Sequence, residues 1–286
     1  MRHTVAPRNR TLFLEEADLS LPVPTVEDFT GQELDGIYAG DCFQGMAKMA
    51  PRSVQVIFAD PPYLGKQKFS DFPYQRRADY LAWMDEFLRR AASLLRDTGA
   101  LYLCCDWTYG GALQELIEKY LIIKNRITWQ REKGRGAKRN WKNNMEDIWY
   151  AVKDEDQHIF NLEAVKIKKK VIAPYTDGKG RPKDWVETPG GERFRWTHPS
   201  NIWTDLTVPF WSMGENTPHP TQKPERLVER CLLASSNPGD LILDPFMGSG
   251  TTAVVAKRLK RRFLGFEINP DYVRLARKRL QERLEP

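Results

Sequence analysis

Several features are scarce in this 286-residue chain. It has four cysteines, Cys42, Cys104, Cys105 and Cys231, and no two stand in C-x-x-C spacing. That spacing would mark a metal or dithiol redox site, so these four read as reduced thiols of a cytosolic protein. No run approaches the ~18–20 apolar residues of a membrane span. The N-terminus carries charges through Arg10 and lacks an apolar stretch, which argues against a secretory signal. No internal repeat or low-complexity tract is visible. What is present is a hydrophobic content of 41%, enough for a full core, and a net charge of +6 with a pI near 9.0. A basic balance favours a polyanionic partner.

Strand-like and helix-like segments alternate along most of the chain. Ile37 to Ala39 reads as a short strand, followed by a helix over 42–49 and a buried strand over Val54 to Ala59. A helix is predicted over 78–95, ended by Asp97-Thr98-Gly99, then a strand over Ala100 to Cys105. Helix 111–120 and strands near 122–129 and 147–153 follow. From Gln222 the alternation resumes with helix 223–236, strand 241–243, helix 251–260, strand 263–267 and helix 270–283. This order implies an α/β fold with a parallel, doubly wound sheet. Residues 1–34 read as a surface arm. Residues 154–215 lack helical periodicity and read as an insertion of irregular or β structure.

Asp60-Pro61-Pro62-Tyr63 follows directly on the apolar run Val54 to Ala59. A carboxylate is thus set at the carboxyl end of a central strand, where open α/β sheets form ligand crevices. The prolines fix φ and remove backbone donors, which leaves carbonyl acceptors beside the carboxylate. An aromatic ring comes next. Two acceptors and a ring suit a planar base that carries an amino group. Alone, Asp60 would equally suit a strand-end cap.

A second signal is Leu241 to Thr252, in which a buried strand ends in Asp244 and Gly248 and Gly250 open a helix. Such a turn lets backbone approach a ligand and offers helix N–H groups to an anion. Asp244 would accept from a donor on that ligand, and Glu267, ending the next strand, suits a ribose diol. A Walker A loop is excluded, because Thr251 stands where its lysine belongs. A nicotinamide site and a tight turn without ligand remain as rivals on these residues alone.

Asp60-Pro-Pro-Tyr63, His219-Pro-Thr-Gln-Lys-Pro224 and Asp244-Pro-Phe-Met-Gly-Ser-Gly250, in that order, resemble the amino-DNA methyltransferases of the β group. The resemblance covers about 35–155 and 198–286. It implies a Rossmann-like, seven-stranded methyltransferase sheet with one antiparallel strand and circularly permuted motifs. Residues 35–153 would form the catalytic half, 154–215 a target-recognition insertion and 216–286 the cofactor half. The implied cofactor is S-adenosylmethionine, and no metal is implied. The implied reaction is methylation of the adenine N6 amino group in double-stranded DNA, with cytosine N4 or a non-catalytic DNA-binding regulator as alternatives. Asp60, Pro61, Pro62 and Tyr63 would be catalytic, with Tyr63 stacked on a flipped base. Asp41, Cys42, Phe246, Gly248, Ser249, Gly250, Thr251 and Glu267 would line the cofactor. His219, Thr221 and Lys223 would lie near its methionine end. Leu64 departs from the asparagine common after the tetrapeptide. A homodimer and a cognate restriction endonuclease that shares the site without stable binding are the protein partners implied, in a prokaryotic cytosol or nucleoid.

DNA contacts are sought among the cations. Arg131, Lys133, Arg135, Lys138, Arg139 and Lys142 crowd one stretch with Lys124 and Arg126. Such a run suits phosphate tracking, or is simply a solvated face. Lys66 and Lys68 lie in the loop after the catalytic turn. Lys168 and Lys169 form a second run, and Arg193, Arg195, Trp196, Asn201 and Trp203 are candidates for base contact. Asn201-Ile-Trp203 would serve equally to brace the insertion on the sheet.

Overall fold

In the computed structural model, residues 8–64, 76–131, 138–172 and 174–282 are described. The chain runs through α1 (Glu16–Leu19), β1 (Gly36–Ala39), α2 (Cys42–Lys48), β2 (Val54–Ala59), α3 (Arg77–Leu94) and β3 (Leu95–Cys105). Then come α4 (Gly110–Glu118), β4 (Ile122–Gln130) and β5 (Met145–Val152). The insertion holds α5 (Leu162–Val165), β6 (Ile167–Lys170), β7 (Val186–Glu187), β8 (Arg193–Thr197) and β9 (Ile202–Trp203). The chain closes with α6 (Glu225–Ser235), β10 (Leu241–Asp244), α7 (Thr251–Arg258), β11 (Arg262–Glu267) and α8 (Pro270–Glu282).

The main sheet has the order β1-β11-β10-β2-β3-β5-β4-β9. Its first five strands pair in parallel, and β5 alone runs against both neighbours. Seven strands with one reversed make up the core of the sheet, and the two residues of β9 add an eighth. The six residues of β2 are all buried, because helices cover both faces of a parallel sheet. Ile57 and Ala59 face α3 and α4 through Met84, Phe87 and Leu113, while Val56 and Phe58 face α6 to α8 through Leu227, Val255 and Val273. Gln55 is tolerated inside β2 because its amide donates to the carbonyls of Thr98 (2.8 Å) and Ser235 (3.0 Å) and accepts from the Thr98 hydroxyl (2.7 Å).

Three expectations change. The N-terminal segment is not wholly a surface arm: Val26 and Phe29 are buried, and Phe29 packs on Tyr38 and Phe266. Isolated apolar residues in a polar stretch carry no periodicity to reveal this. Helix α3 ends at Leu94 and β3 begins at Leu95, so Asp97-Thr98-Gly99 lies within the strand instead of closing the helix. Trp203 is buried and pairs opposite Trp129, and the Asn201 amide donates to the Arg126 carbonyl at 2.9 Å. These two residues fasten the insertion to β4, which removes them from the candidates for base contact. The rest of the insertion forms a small antiparallel sheet, β6-β8-β7.

Candidate active site

Asp60 leaves β2 at the carboxyl edge of the sheet, its side chain 17% exposed. The Tyr63 hydroxyl donates to its Oδ1 at 2.8 Å, and Lys223 Nζ makes a short charged hydrogen bond to its Oδ2. Glu146 lies beside them, 4% exposed, accepting at Oε1 from Lys223 Nζ (2.9 Å) and from the Tyr63 hydroxyl (3.0 Å). Arg131 Nη1 reaches Glu146 Oε2 at 2.9 Å. Burial pushes the Asp60 carboxyl above its usual range; Lys223 pulls it back and Glu146 adds to the rise. Burial works against the Lys223 ammonium, but the two carboxylates outweigh it, so its pKa is raised and it stays charged. Burial also holds the Tyr63 phenol protonated, so it acts as a donor.

A cavity of about 280 Å³ opens against this cluster, lined by Tyr63, Asp106, Trp129, Arg131, Asn143, Met145, Glu146, Thr221, Gln222 and Lys223. That is close to the lower end of small-molecule sites, roughly 300–1,000 Å³. Lys223, expected near the methionine end of the cofactor, binds Asp60 and Glu146 through its ammonium. Thr221 lines the same cavity.

The glycine turn meets the backbone of Lys223, whose carbonyl accepts from the Thr251 hydroxyl at 3.2 Å. Gly248 and Gly250 have φ of 51° and 80°, the left-handed region where side chains are strained. A Cβ on Gly248 would stand 3.0 Å from His219 Nε2, and one on Gly250 would stand 2.6 Å from the Ala276 Cβ. Gly250 thus also lets α8 pack. Glu267 accepts from the N–H groups of Gly248 (2.8 Å) and Asn269 (2.9 Å), and burial raises its pKa. Asp244 accepts from Phe246 N–H (3.0 Å) and the Thr252 hydroxyl (2.5 Å), and burial pushes its pKa up to about 7. His219 is pushed down to about 4, chiefly by burial, and its Nδ1 is buried with no hydrogen-bond partner among the described residues.

The other candidates divide. Asp41 caps α2 by accepting from Phe43 N–H at 2.9 Å. Cys42 is buried and its thiol is pushed up by burial. The Phe246 ring packs on Trp83 and Phe87. Ser249 and Thr251 are buried; Arg279 donates to the Ser249 carbonyl (3.2 Å) and the Thr251 hydroxyl (2.9 Å), and that hydroxyl donates to the Lys223 carbonyl (3.2 Å).

Lys66, Lys68, Lys133 and Arg135 lie outside the described residues. Arg131, sought as a phosphate contact, is tied to Glu146. Arg193 pairs with Glu187 (2.8 Å), Arg195 with Asp184 (2.9 Å), and Lys168 lies 4.0 Å from the centre of the Phe194 ring. Lys138, Arg139, Lys142 and Lys169 are exposed and make no ion pair among the described residues. Glu146 was missed altogether. The available signal was an acidic pair, Glu146-Asp147, at the head of an otherwise apolar strand. Both are buried, and Asp147 is held by Arg126 (2.7 Å) and Thr128 (3.0 Å).

A family model described as DNA methylase matches residues 54–278. The DNA adenine methyltransferase YhdJ of Escherichia coli K12 is 34% identical over 257 residues, covering 87% of this chain and 84% of the relative. The Type II methyltransferase M.HpaI of Haemophilus parainfluenzae is 30% identical over 247 residues, covering 85% and 73%. Among solved structures, the M1.HpyAVI–SAM complex is 26% identical with a TM-score of 0.57, covering 85% of this chain and 98% of that one.

Proposed function

The chain belongs to the DNA methylase family, and on that premise we propose that it transfers a methyl group from S-adenosylmethionine to the N6 amino group of adenine in DNA. The observation that carries this is the half-buried strand-end carboxylate of Asp60, beside an aromatic ring and a cavity of base-binding scale. The E. coli relative, named as an adenine enzyme, supports the choice of base. The solved relative, named as a SAM complex, supports the cofactor.

An exocyclic amino nitrogen is a poor nucleophile because its lone pair is delocalised into the ring. Asp60, with the Pro61 carbonyl, would accept its two hydrogens and favour a tetrahedral nitrogen. The Asp60 charge then stabilises the positive charge that develops on nitrogen, a preorganised electrostatic effect. The base must leave the duplex, at a cost of a few kcal/mol, and stacking on the Tyr63 ring would offset ~1–3 kcal/mol of it.

The cofactor supplies an electrophilic methyl on a sulfonium. The residues present fit it. Gly248 lacks the Cβ that would crowd His219, and His219 has an unpartnered buried nitrogen. Asp244, Phe246 and Glu267 ring the turn. Each carboxylate oxygen has lone pairs beyond those its backbone partners use.

Lys138, Arg139, Lys142 and Lys169 are the cations best placed to meet phosphates, and contacts of that kind position a protein without reading sequence. A Type II relative supports a restriction–modification role, with a cognate endonuclease sharing the site and the bacterial cytoplasm as the place of action. A homodimer is the assembly we expect. No helix among the described residues is long and apolar enough to cross a membrane.

The deciding measurement is mass spectrometry of plasmid DNA after incubation with the protein and S-adenosylmethionine. N6-methyladenine is the expected product. The appearance of 4-methylcytosine, or of no methylated base, would reject the assignment.

A further inference from the structure

The antiparallel direction of β5 has a chemical consequence. Its first residues lie level with the carboxyl ends of the parallel strands, Asp147 opposite Cys105. Glu146 is delivered in this way into the crevice that holds Asp60, although it belongs to no motif. It engages three donors, Tyr63, Lys223 and Arg131. Two of them, Tyr63 and Lys223, also serve Asp60. From this sharing we infer that Glu146 is a positioning residue for methyl transfer: it divides the Lys223 charge and the Tyr63 hydroxyl with Asp60, and so sets how strongly Asp60 holds the target amino group. The inference rests on the reaction proposed above.

The charges around the pair can be followed one by one. Asp60 and Glu146 are matched by Lys223, from the loop before α6, and Arg131, at the end of β4. The Cys104 sulfur, from β3, lies within 4.8 Å of an oxygen of each carboxylate, but burial keeps that thiol protonated. Asp106 lines the same cavity, and Asp244, on β10, feels the Asp60 charge. A carboxylate neutralised by its own ammonium is a weak acceptor for an amino group and a weak stabiliser of positive charge on nitrogen. With Glu146 present, Lys223 is shared, and Asp60 keeps part of its charge for the base. Arg131 holds the outer oxygen of Glu146, which keeps the inner oxygen facing Lys223 and Tyr63.

Glu146→Gln leaves Lys223 wholly to Asp60 and removes a like charge that raises the Asp60 pKa. Activity needs the Asp60 carboxylate and is lost as pH falls through its pKa. The acid limb of the kcat/KM profile for DNA methylation should therefore move to lower pH by roughly one unit. The maximal rate should fall about tenfold, less than the ~10²–10³ lost with a donor in direct contact. A role confined to packing would lower the rate at every pH and leave the limb in place. Glu146→Asp, whose carboxylate is set back by one methylene, should shift the limb the same way by less, and it supplies the readout if the glutamine variant does not fold. An acid limb that stays at its wild-type position in the folded variant overturns the inference. The wild-type protein in the same assay tests the reaction separately: formation of N6-methyladenine upholds it, and its absence removes both the reaction and the role.

Discussion

Two Asp-Pro dipeptides end neighbouring parallel strands of one sheet, and their surroundings differ. Asp60-Pro61 follows β2, and Asp244-Pro245 ends β10, which pairs with β2 through Leu243 and Ile57. Burial raises the pKa of both carboxyls. Asp60 meets a fixed cation, Lys223, together with a tyrosine hydroxyl. Asp244 receives one backbone N–H and one threonine hydroxyl, and no lysine or arginine hydrogen-bonds it among the described residues. The chain thus gives one carboxylate a share of a fixed cation and leaves the other with dipoles alone, near half protonation at neutral pH. A buried carboxylate in that condition has room for further donors, and a cationic ligand would draw it back toward ionisation.

The largest expected effect breaks the pair at Asp60. Asp60→Ala should lower kcat by roughly 10³-fold or more, the scale of a lost electrostatic centre, while DNA affinity measured by fluorescence anisotropy stays near wild type. An equal loss of kcat in Asp244→Asn at saturating cofactor would erase the distinction between the two sites.

At Asp244 the expected effect falls on stability and cofactor affinity. Its folded pKa of about 7 stands above the ordinary 3.8. A raised pKa contributes stability that is present below pH ~4 and lost as pH rises through ~7. The shift of about three units, at ~1.4 kcal/mol each, bounds the loss near 4 kcal/mol. Asparagine keeps the acceptor oxygen and removes the charge. Urea unfolding of the ligand-free protein should therefore show Asp244→Asn gaining on wild type between pH 5 and pH 8, while its affinity for S-adenosylmethionine falls. A stability difference that stays flat across that range would mean that Asp244 is not buried against its charge.

Much of this contrast was legible beforehand. Val54 to Ala59 is β-branched and aromatic and ends at prolines, so both the buried strand and the position of Asp60 follow from the sequence. The glycine turn after Leu241 to Asp244 is equally plain, because Gly248 and Gly250 occupy backbone that other residues strain to adopt. Glu146 was not legible. Its side-chain contacts with Tyr63 and Lys223 arise because β5 runs against its neighbours, and sequence spacing does not encode which strand is reversed. The contacts of Lys223 with Asp60 and Glu146 were hidden for the same reason: its motif fixes the loop but not which carboxylate its ammonium meets. Arg131 reads as a phosphate contact and Arg193 and Arg195 as candidates for base contact, yet each finds an acid brought near by strand pairing or a turn. Val26 and Phe29 show the converse, apolar residues without a pattern that are nevertheless core.

The smallest and sharpest test removes one hydroxyl from each carboxylate. Tyr63→Phe takes a donor from Asp60 and keeps the ring, and Lys223 remains in place, so methylation should slow only a few-fold, about the worth of one neutral hydrogen bond, ~1 kcal/mol. Thr252→Val takes the hydroxyl from Asp244 Oδ2 and leaves a buried oxygen without that donor and without a cation. An unsatisfied buried acceptor costs about 1–3 kcal/mol, and more when it is charged, so the loss of stability should be larger at pH 8 than at pH 5. The two variants remove similar atoms, and the difference in outcome measures what the lysine contributes. If Thr252→Val loses no more stability at pH 8 than Tyr63→Phe does in the same urea unfolding, Asp244 has a compensating donor, and the two strand ends are electrostatically alike after all.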